Sequence, residues 1–116
     1  MISHLKYASI PCQNLAASLK FWTEKMGFIH NPASNPKGEN WAELIIGNSA
    51  TVVVLFVRPG AAGPSVTAAF ACDDVGVTRE QLRGRGVDVG PVRNEGTGDY
   101  AIFKDPDGYQ YLHGPR

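Results

Sequence analysis

A nine-residue stretch near the start of the chain, Tyr7–Leu15 with the sequence YASIPCQNL, has a counterpart sixty positions later in Thr67–Val75, TAAFACDDV. Each copy is a strand-like run that ends at a cysteine and continues into two polar residues and one apolar residue. The polar pairs end in Asn14 and Asp74, which are good helix N-caps because they accept hydrogen bonds from unpaired backbone N–H groups. The repeat therefore predicts two copies of one unit, each passing from a first strand into a helix.

The two predicted helices differ in strength. The first presents an apolar face at spacings of three and four residues, through Leu15, Leu19, Trp22 and Met26. The second contains Gly76 and Gly84, and each glycine costs a helix roughly 1 kcal/mol relative to alanine. We therefore expect the first helix to be the more stable of the two.

Strand-like segments follow each helix and complete the unit. They are Phe28–His30, Trp41–Ile46 and Thr51–Val57 in the first half, and Val87–Val89, Asp99–Phe103 and Tyr109–His113 in the second. A Gly/Pro-rich segment separates the halves. The prediction is one α+β domain, 1–116, of two tandem βαβββ modules: module one at about 1–58, a linker at 59–64 and module two at about 65–116.

Composition excludes several classes of function. The 11 Lys and Arg residues balance the 11 Asp and Glu residues, and no basic stripe indicates nucleic-acid binding. The longest apolar run, Val52–Val57, is far shorter than the roughly 20 residues of a membrane span, and the N-terminus does not resemble a signal peptide. Two cysteines cannot form a disulfide framework, so we expect a cytoplasmic protein with reduced thiols.

Four stretches resemble the vicinal oxygen chelate superfamily, which includes glyoxalase I, extradiol dioxygenases, and fosfomycin- and bleomycin-resistance proteins. The stretches are Ile10–Leu15, Ser18–Phe28, Gly84–Val87, and Phe103–Gly108 with its Asp-Pro-Asp-Gly turn. The resemblance implies paired βαβββ modules that form an open barrel-like cup, a small organic ligand bound between them, and a homodimer. Because this fold hosts many chemistries, it does not determine the reaction.

Metal-dependent members of this superfamily, by resemblance, would place their ligands at Tyr7, Val54, Thr67 and Leu112. These four residues do not form a His/Glu set that could hold a divalent cation, so we expect neither a metal nor another cofactor. A relocated site built from the three histidines, His4, His30 and His113, remains an alternative, although strand alternation turns His4 and His113 away from the cup.

Hairpin pairing predicts which side chains line the cup. Centring the first hairpin on Asn48-Ser49 places Glu43 opposite Val54 and Trp41 opposite Phe56; centring the second on Pro106-Asp107 places Ala101 opposite Leu112 and Phe103 opposite Gln110. With Val54 and Leu112 inward by resemblance, the predicted ligand-binding residues are Tyr7, Ser9, Trp41, Glu43, Val54, Phe56, Thr67, Ala101, Phe103, Gln110 and Leu112. This aromatic and apolar lining with a few polar groups is typical of an organic-ligand site.

Glu43 is the candidate catalytic residue. Trp41, Val54 and Phe56 would partly desolvate its carboxylate and raise its pKa into the range of a general base, and Tyr7 could donate a hydrogen bond to a developing oxyanion. A register shifted by one residue would instead leave Glu43 on the solvent-exposed face.

Three functions follow. The first is a metal-free protein that binds or sequesters a neutral aromatic or apolar metabolite or antibiotic. The second is a metal-independent isomerase, lyase or cyclase that uses Glu43 as general base. The third is a metal-dependent lyase or dioxygenase with relocated ligands. Whether the protein is an enzyme therefore remains open.

Overall fold

The structure, a computed structural model, describes residues 1–60, 68–96 and 98–115. The chain divides into two compact units, Met1–Ala62 (unit 1) and Gly63–Arg116 (unit 2). Residues 61–64 of the predicted linker and the predicted site residue Thr67 lie outside the described residues.

Unit 1 has the order β-α-β-β-β. Its elements are β1 (Tyr7–Cys12), α1 (Leu15–Lys20) with a π-helical continuation (Phe21–Lys25), β2 (Ile29–Asn31), a 3₁₀ turn (Pro32–Ser34), β3 (Trp41–Ile45) and β4 (Val52–Val57). The four strands form one sheet in the order β1-β4-β3-β2. Strand β1 is parallel to β4, and the other neighbours are antiparallel.

The core of unit 1 lies between the sheet and the helix. Asn14 caps α1 through its Oδ1, which accepts a hydrogen bond from the Ala17 backbone N at 2.9 Å. Helix α1 packs across β3 and β4, and alternate side chains of these strands are buried, among them Leu44 and Leu55. Trp22 is completely buried and stacks on Phe28. One face of the sheet is thereby covered, and the other face is left for function.

Unit 2 repeats this order. Its elements are β5 (Ala69–Ala71), α2 (Val75–Gly84), β6 (Arg93–Glu95), β7 (Gly98–Lys104) and β8 (Tyr109–His113). They form a second four-stranded sheet in the order β5-β8-β7-β6, with β5 parallel to β8. Asp74 caps α2 by accepting a hydrogen bond from the Val77 backbone N at 3.0 Å. Val75 and Leu82 on α2 are buried, and α2 contacts β7.

The predicted strand Val87–Val89 is wrong. In its place Val89 makes a single bridge to Phe103, flanked by backbone hydrogen bonds from Lys104 N to Asp88 O (2.9 Å) and from Gly90 N to Ile102 O (2.8 Å). Pro91 follows and has no N–H with which to continue this ladder. The strand that pairs with the first half of β7 is β6, Arg93–Glu95.

The fold is α+β, with two tandem βαβββ modules. Among the described residues, no helix has the length and apolar character needed to cross a membrane.

Candidate functional site

The β3–β4 hairpin has the predicted register. Glu43 pairs with Val54 and Trp41 pairs with Phe56. These four side chains share the sheet face opposite the buried Ala42, Leu44, Val53 and Leu55. The one-residue slip that would move Glu43 to the other face is therefore excluded.

This face forms the floor of a groove of about 690 Å³ that lies within unit 1. The groove is lined by Lys6, Tyr7, Ser9, Asn40, Trp41, Glu43, Val54, Phe56 and Val57. Its volume lies within the range of roughly 300–1,000 Å³ that is typical of small-molecule sites.

Cross-strand pairing arranges the groove floor in rows. One row runs across all four strands as Ser9, Val54, Glu43 and Asn31. The next row contains Pro11, Phe56 and Trp41. Since neighbouring strands lie about 4.8 Å apart, the Cα atoms of Ser9 and Glu43 are separated by roughly 10 Å, with Val54 between them. The floor therefore presents a polar row beside an aromatic row.

The Glu43 carboxylate is held by its neighbour on β2. Asn31 Nδ2 donates a hydrogen bond to Glu43 Oε2 at 2.6 Å, and both side chains are half-buried. The contact joins directly opposed residues of β2 and β3, so the sheet itself positions the two groups. This bond orients the carboxylate within the groove.

A short loop before β3 positions Trp41. Asn35 Nδ2 donates to the backbone oxygens of Glu39 (2.9 Å) and Trp41 (2.8 Å). Asn40 has φ of 69°, a left-handed conformation that asparagine tolerates better than most residues, and its carbonyl accepts a hydrogen bond from Val57 N at 2.8 Å. The loop thereby joins Asn40 to Val57 of β4, and both residues line the groove together with Trp41.

The N-terminal segment forms another edge of the groove, through Lys6 and Tyr7. Thr51 Oγ1 donates to the Leu5 carbonyl at 2.8 Å, and Val52 N donates to the Lys6 carbonyl at 3.3 Å. These bonds hold Lys6 and Tyr7 beside β4. Half of the Tyr7 surface is exposed, so its ring is accessible at the groove.

Six predicted ligand-binding residues line this groove together: Tyr7, Ser9, Trp41, Glu43, Val54 and Phe56. Sequence reasoning missed Lys6, Asn40 and Val57, together with Asn31, which holds Glu43. Strand alternation gave no signal for Lys6 and Asn40, because both lie just outside strands. Asn31 could have been found by extending the pairing argument from β3 to β2.

The second hairpin also has the predicted register, with Ala101 opposite Leu112 and Phe103 opposite Gln110. All four side chains are buried, with exposures of 0% to 3%, and the Phe103 ring contacts Phe70 of unit 2. The structure places these residues in the interior and not in the groove of unit 1. Their role as ligand contacts stays a prediction.

The face of the unit 2 sheet that corresponds to the groove floor carries different side chains. Ser9 pairs with Val54, and its repeat counterpart Ala69 pairs with Tyr111, so Tyr111 and not Leu112 is the structural equivalent of Val54. The rings of Tyr100, Tyr111 and His113 cluster on this face, with centroids 5.5–6.2 Å apart. Sequence reasoning identified no function for this cluster.

The residues present do not fit the metal centre that the resemblance implies. Val54 and Leu112 have hydrocarbon side chains, and Leu112 is buried. In the part of the chain that the structure describes, no group of three His, Cys, Asp or Glu side chains could hold a metal ion, so the three histidines do not form such a site there.

Comparison with known proteins agrees with this architecture. The family model of the glyoxalase/bleomycin resistance protein/dioxygenase superfamily matches residues 2–111. The uncharacterized protein YetH of Bacillus subtilis (strain 168) is 27% identical, over 97% of this chain and 98% of YetH. Glyoxylase I 4 of Arabidopsis thaliana is 26% identical, over 93% of this chain and 68% of that protein. The crystal structure of TnmS3, an antibiotic binding protein from Streptomyces sp. CB03234, is 25% identical with a TM-score of 0.81, covering 99% of this chain and 98% of that one.

Proposed function

The chain belongs to the glyoxalase/bleomycin resistance protein/dioxygenase superfamily, and we propose that it binds a neutral aromatic or apolar metabolite or antibiotic in the groove of unit 1. The observation that carries this proposal is the groove floor, where the Trp41 and Phe56 side chains lie beside the Ser9–Glu43 row. Such a surface can stack on a planar body and hydrogen-bond to its edge. The similarity to the antibiotic binding protein TnmS3 supports an antibiotic as one such ligand.

The aromatic row provides the first test. Trp41→Ala and Phe56→Ala should each weaken binding of an aromatic ligand by about 10-fold, because each removes a ring that would be buried against the ligand. Affinities are measured by isothermal titration calorimetry with neutral aromatic natural products and antibiotics. Val77→Ala, which shortens an exposed apolar side chain on α2, is the matched control and should leave the affinities unchanged. Equal affinities for all four proteins would contradict the proposed site.

A metal-independent isomerase, lyase or cyclase is the second candidate. It is favoured by the Glu43 carboxylate, which Asn31 holds in a groove that Tyr7 also lines. In this function Glu43 would take a proton from the substrate and Tyr7 would donate a hydrogen bond to the oxyanion that forms. Glu43→Gln should then abolish turnover. A Glu43→Gln protein with full turnover, or recovery of every bound ligand unchanged from the wild type, would end this candidate.

A metal-dependent lyase or dioxygenase with relocated ligands is the least supported function, because Glu43 is the one carboxylate among the described lining residues of the groove. Metal analysis of the purified protein tests it directly. A stoichiometric divalent cation together with chelator-sensitive activity would restore this function.

We also propose a homodimer in the cytoplasm. Family membership supports the dimer, and the thiols of Cys12 and Cys72, neither of which is in a disulfide, suit a reducing compartment. Sedimentation velocity should give a mass of twice 12.5 kDa; a monomer at micromolar concentration would contradict the dimer. Fractionation of the source cells tests the compartment.

A further inference from the structure

Binding of an aromatic ligand does not by itself explain why the groove contains the Glu43 carboxylate. Apolar and aromatic neighbours, Val54, Trp41 and Phe56, share its face of the sheet. Burying a charged group beside such residues is costly unless hydrogen bonds compensate for the lost water. Asn31 supplies one such bond at 2.6 Å. A ligand that covers the groove would displace water from the same carboxylate and would therefore have to supply another.

The chemistry of the side chains restricts what that ligand group can be. A carboxylate only accepts hydrogen bonds, so the ligand must present a donor, and an anionic group would be repelled. Lys6 lines the same groove, and its positive charge disfavours a cationic ligand. The charges of Lys6 and Glu43 also balance each other. A neutral donor on an aromatic body satisfies both conditions.

From this arrangement, and resting on the proposed function, we infer that the groove selects phenolic aromatic ligands, whose hydroxyl group donates to Glu43. Asn31 acts as a positioning residue: by donating to Oε2 it fixes the carboxylate in the orientation that receives the phenol. The ring lies on the neighbouring Trp41 and Phe56 row, and the side of the ligand away from Glu43 extends towards Ser9. Glu43 is then a determinant of specificity, whether or not it also catalyses a reaction.

A matched pair of probes tests this inference. 2-Naphthol and 2-methoxynaphthalene share one aromatic body and one oxygen, but only the naphthol has a donor. The wild-type protein should bind 2-naphthol at least about 10-fold more tightly, as expected for a hydrogen bond to a charged group. Glu43→Gln should reduce this ratio to within about threefold, in part by raising the affinity for 2-methoxynaphthalene, because the neutral amide avoids an uncompensated carboxylate and can donate to the ether oxygen.

The Asn31→Ala variant distinguishes a role of Asn31 in positioning the Glu43 carboxylate from a role in folding. It should lower the 2-naphthol to 2-methoxynaphthalene preference severalfold while the affinity for the ether stays within about twofold of wild type. A purely structural role would weaken both probes equally, and the melting temperature of the unliganded variant reports that loss independently. Loss of both affinities in parallel would overturn the role assigned to Asn31.

The outcomes distinguish this inference from the function on which it rests. If the wild type binds both probes with equal affinity and Trp41→Ala weakens both, the groove binds aromatic ligands but Glu43 does not select phenols, and the inference is wrong. If neither probe binds up to its solubility limit, or Trp41→Ala changes neither affinity, the proposed binding function fails and the inference fails with it.

Discussion

Gln110 is a polar strand residue whose side chain is buried and hydrogen-bonded at both ends. It is 1% exposed, and both ends of its amide are bonded: Nε2 donates to Asp105 Oδ2 at 2.9 Å, and Oε1 accepts from Ala68 N at 2.6 Å. The other Asp105 oxygen accepts from the backbone N of Asp107 and of Gly108 at 2.7 and 2.6 Å. Gln110 therefore ties the Asp-Pro-Asp-Gly turn to the segment that enters β5.

Replacing this amide should destabilise the protein. Gln110→Leu keeps a similar volume but leaves the Ala68 N–H and the Asp105 carboxylate without their partner, so we expect the free energy of unfolding to fall by about 2 kcal/mol or more. Equilibrium unfolding in urea measures this loss. Asn94→Ala, which removes an exposed bond from Asn94 Nδ2 to Asp99 Oδ1 (2.7 Å), is the control and should cost about 0.5 kcal/mol or less.

The same variant tests the predicted ligand contact of Gln110. If Gln110 is internal, the folded Gln110→Leu protein should bind aromatic ligands with wild-type affinity. A variant with unchanged stability and lost binding would instead support the ligand-binding role expected from the sequence.

At the scale of elements, the end of α2 depends on the conformation of one glycine. Gly86 has φ of 82°, and the backbone N–H groups of Gly86 and Val87 donate to the carbonyls of Arg83 and Leu82 at 3.0 Å each. These two bonds form a Schellman motif, which satisfies carbonyl groups that the helix end leaves unpaired. Gly84, only two positions earlier, is the last helical residue and has open space where a Cβ would lie.

Alanine at these two glycines should act in opposite directions. Gly84→Ala should raise the free energy of unfolding by up to about 1 kcal/mol, because alanine loses less backbone entropy in a helix. Gly86→Ala should lower it by about 1–2 kcal/mol, because a Cβ is strained at positive φ. Urea unfolding of both variants provides the comparison, and a shift of the same sign in both would contradict this account of the helix end.

The elements also show how far sequence reasoning reaches. A short turn around Asn48-Ser49 joins β3 to β4. Strand alternation therefore predicted the strand pairs correctly, and with them the shared sheet face of Trp41 and Glu43. In unit 2 the pairs were again correct, but pairing does not reveal which face the helix covers. The hydrogen bonds of Gln110 to Asp105 and Ala68 could not be predicted, because periodicity does not show contacts of this kind.

At the scale of the whole molecule, two modules of one topology carry different surface chemistry. The covered faces of both sheets hold apolar side chains, including Leu55 in unit 1 and Leu112 in unit 2. The opposite faces differ, since unit 1 has the Glu43 row and unit 2 has the cluster around Tyr111. Packing constrains the covered faces, whereas the opposite faces can acquire separate functions.

Ligand binding should be visible in the stability of the molecule. A ligand that binds only the folded state stabilises it by about 2.7 kcal/mol at 100 times its Kd. For a chain of this size that corresponds to a rise of about 10 °C in Tm. Differential scanning calorimetry with a panel of neutral aromatic metabolites and antibiotics measures this shift, with aliphatic alcohols as ring-free controls.

Trp41→Ala should lose most of this rise in Tm at the same ligand concentration. Its ligand-free Tm should stay close to that of the wild type, because the Trp41 side chain is only half-buried. A wild-type Tm that no aromatic compound raises would contradict the binding function, and an equal rise in Trp41→Ala would place the ligand outside the groove of unit 1.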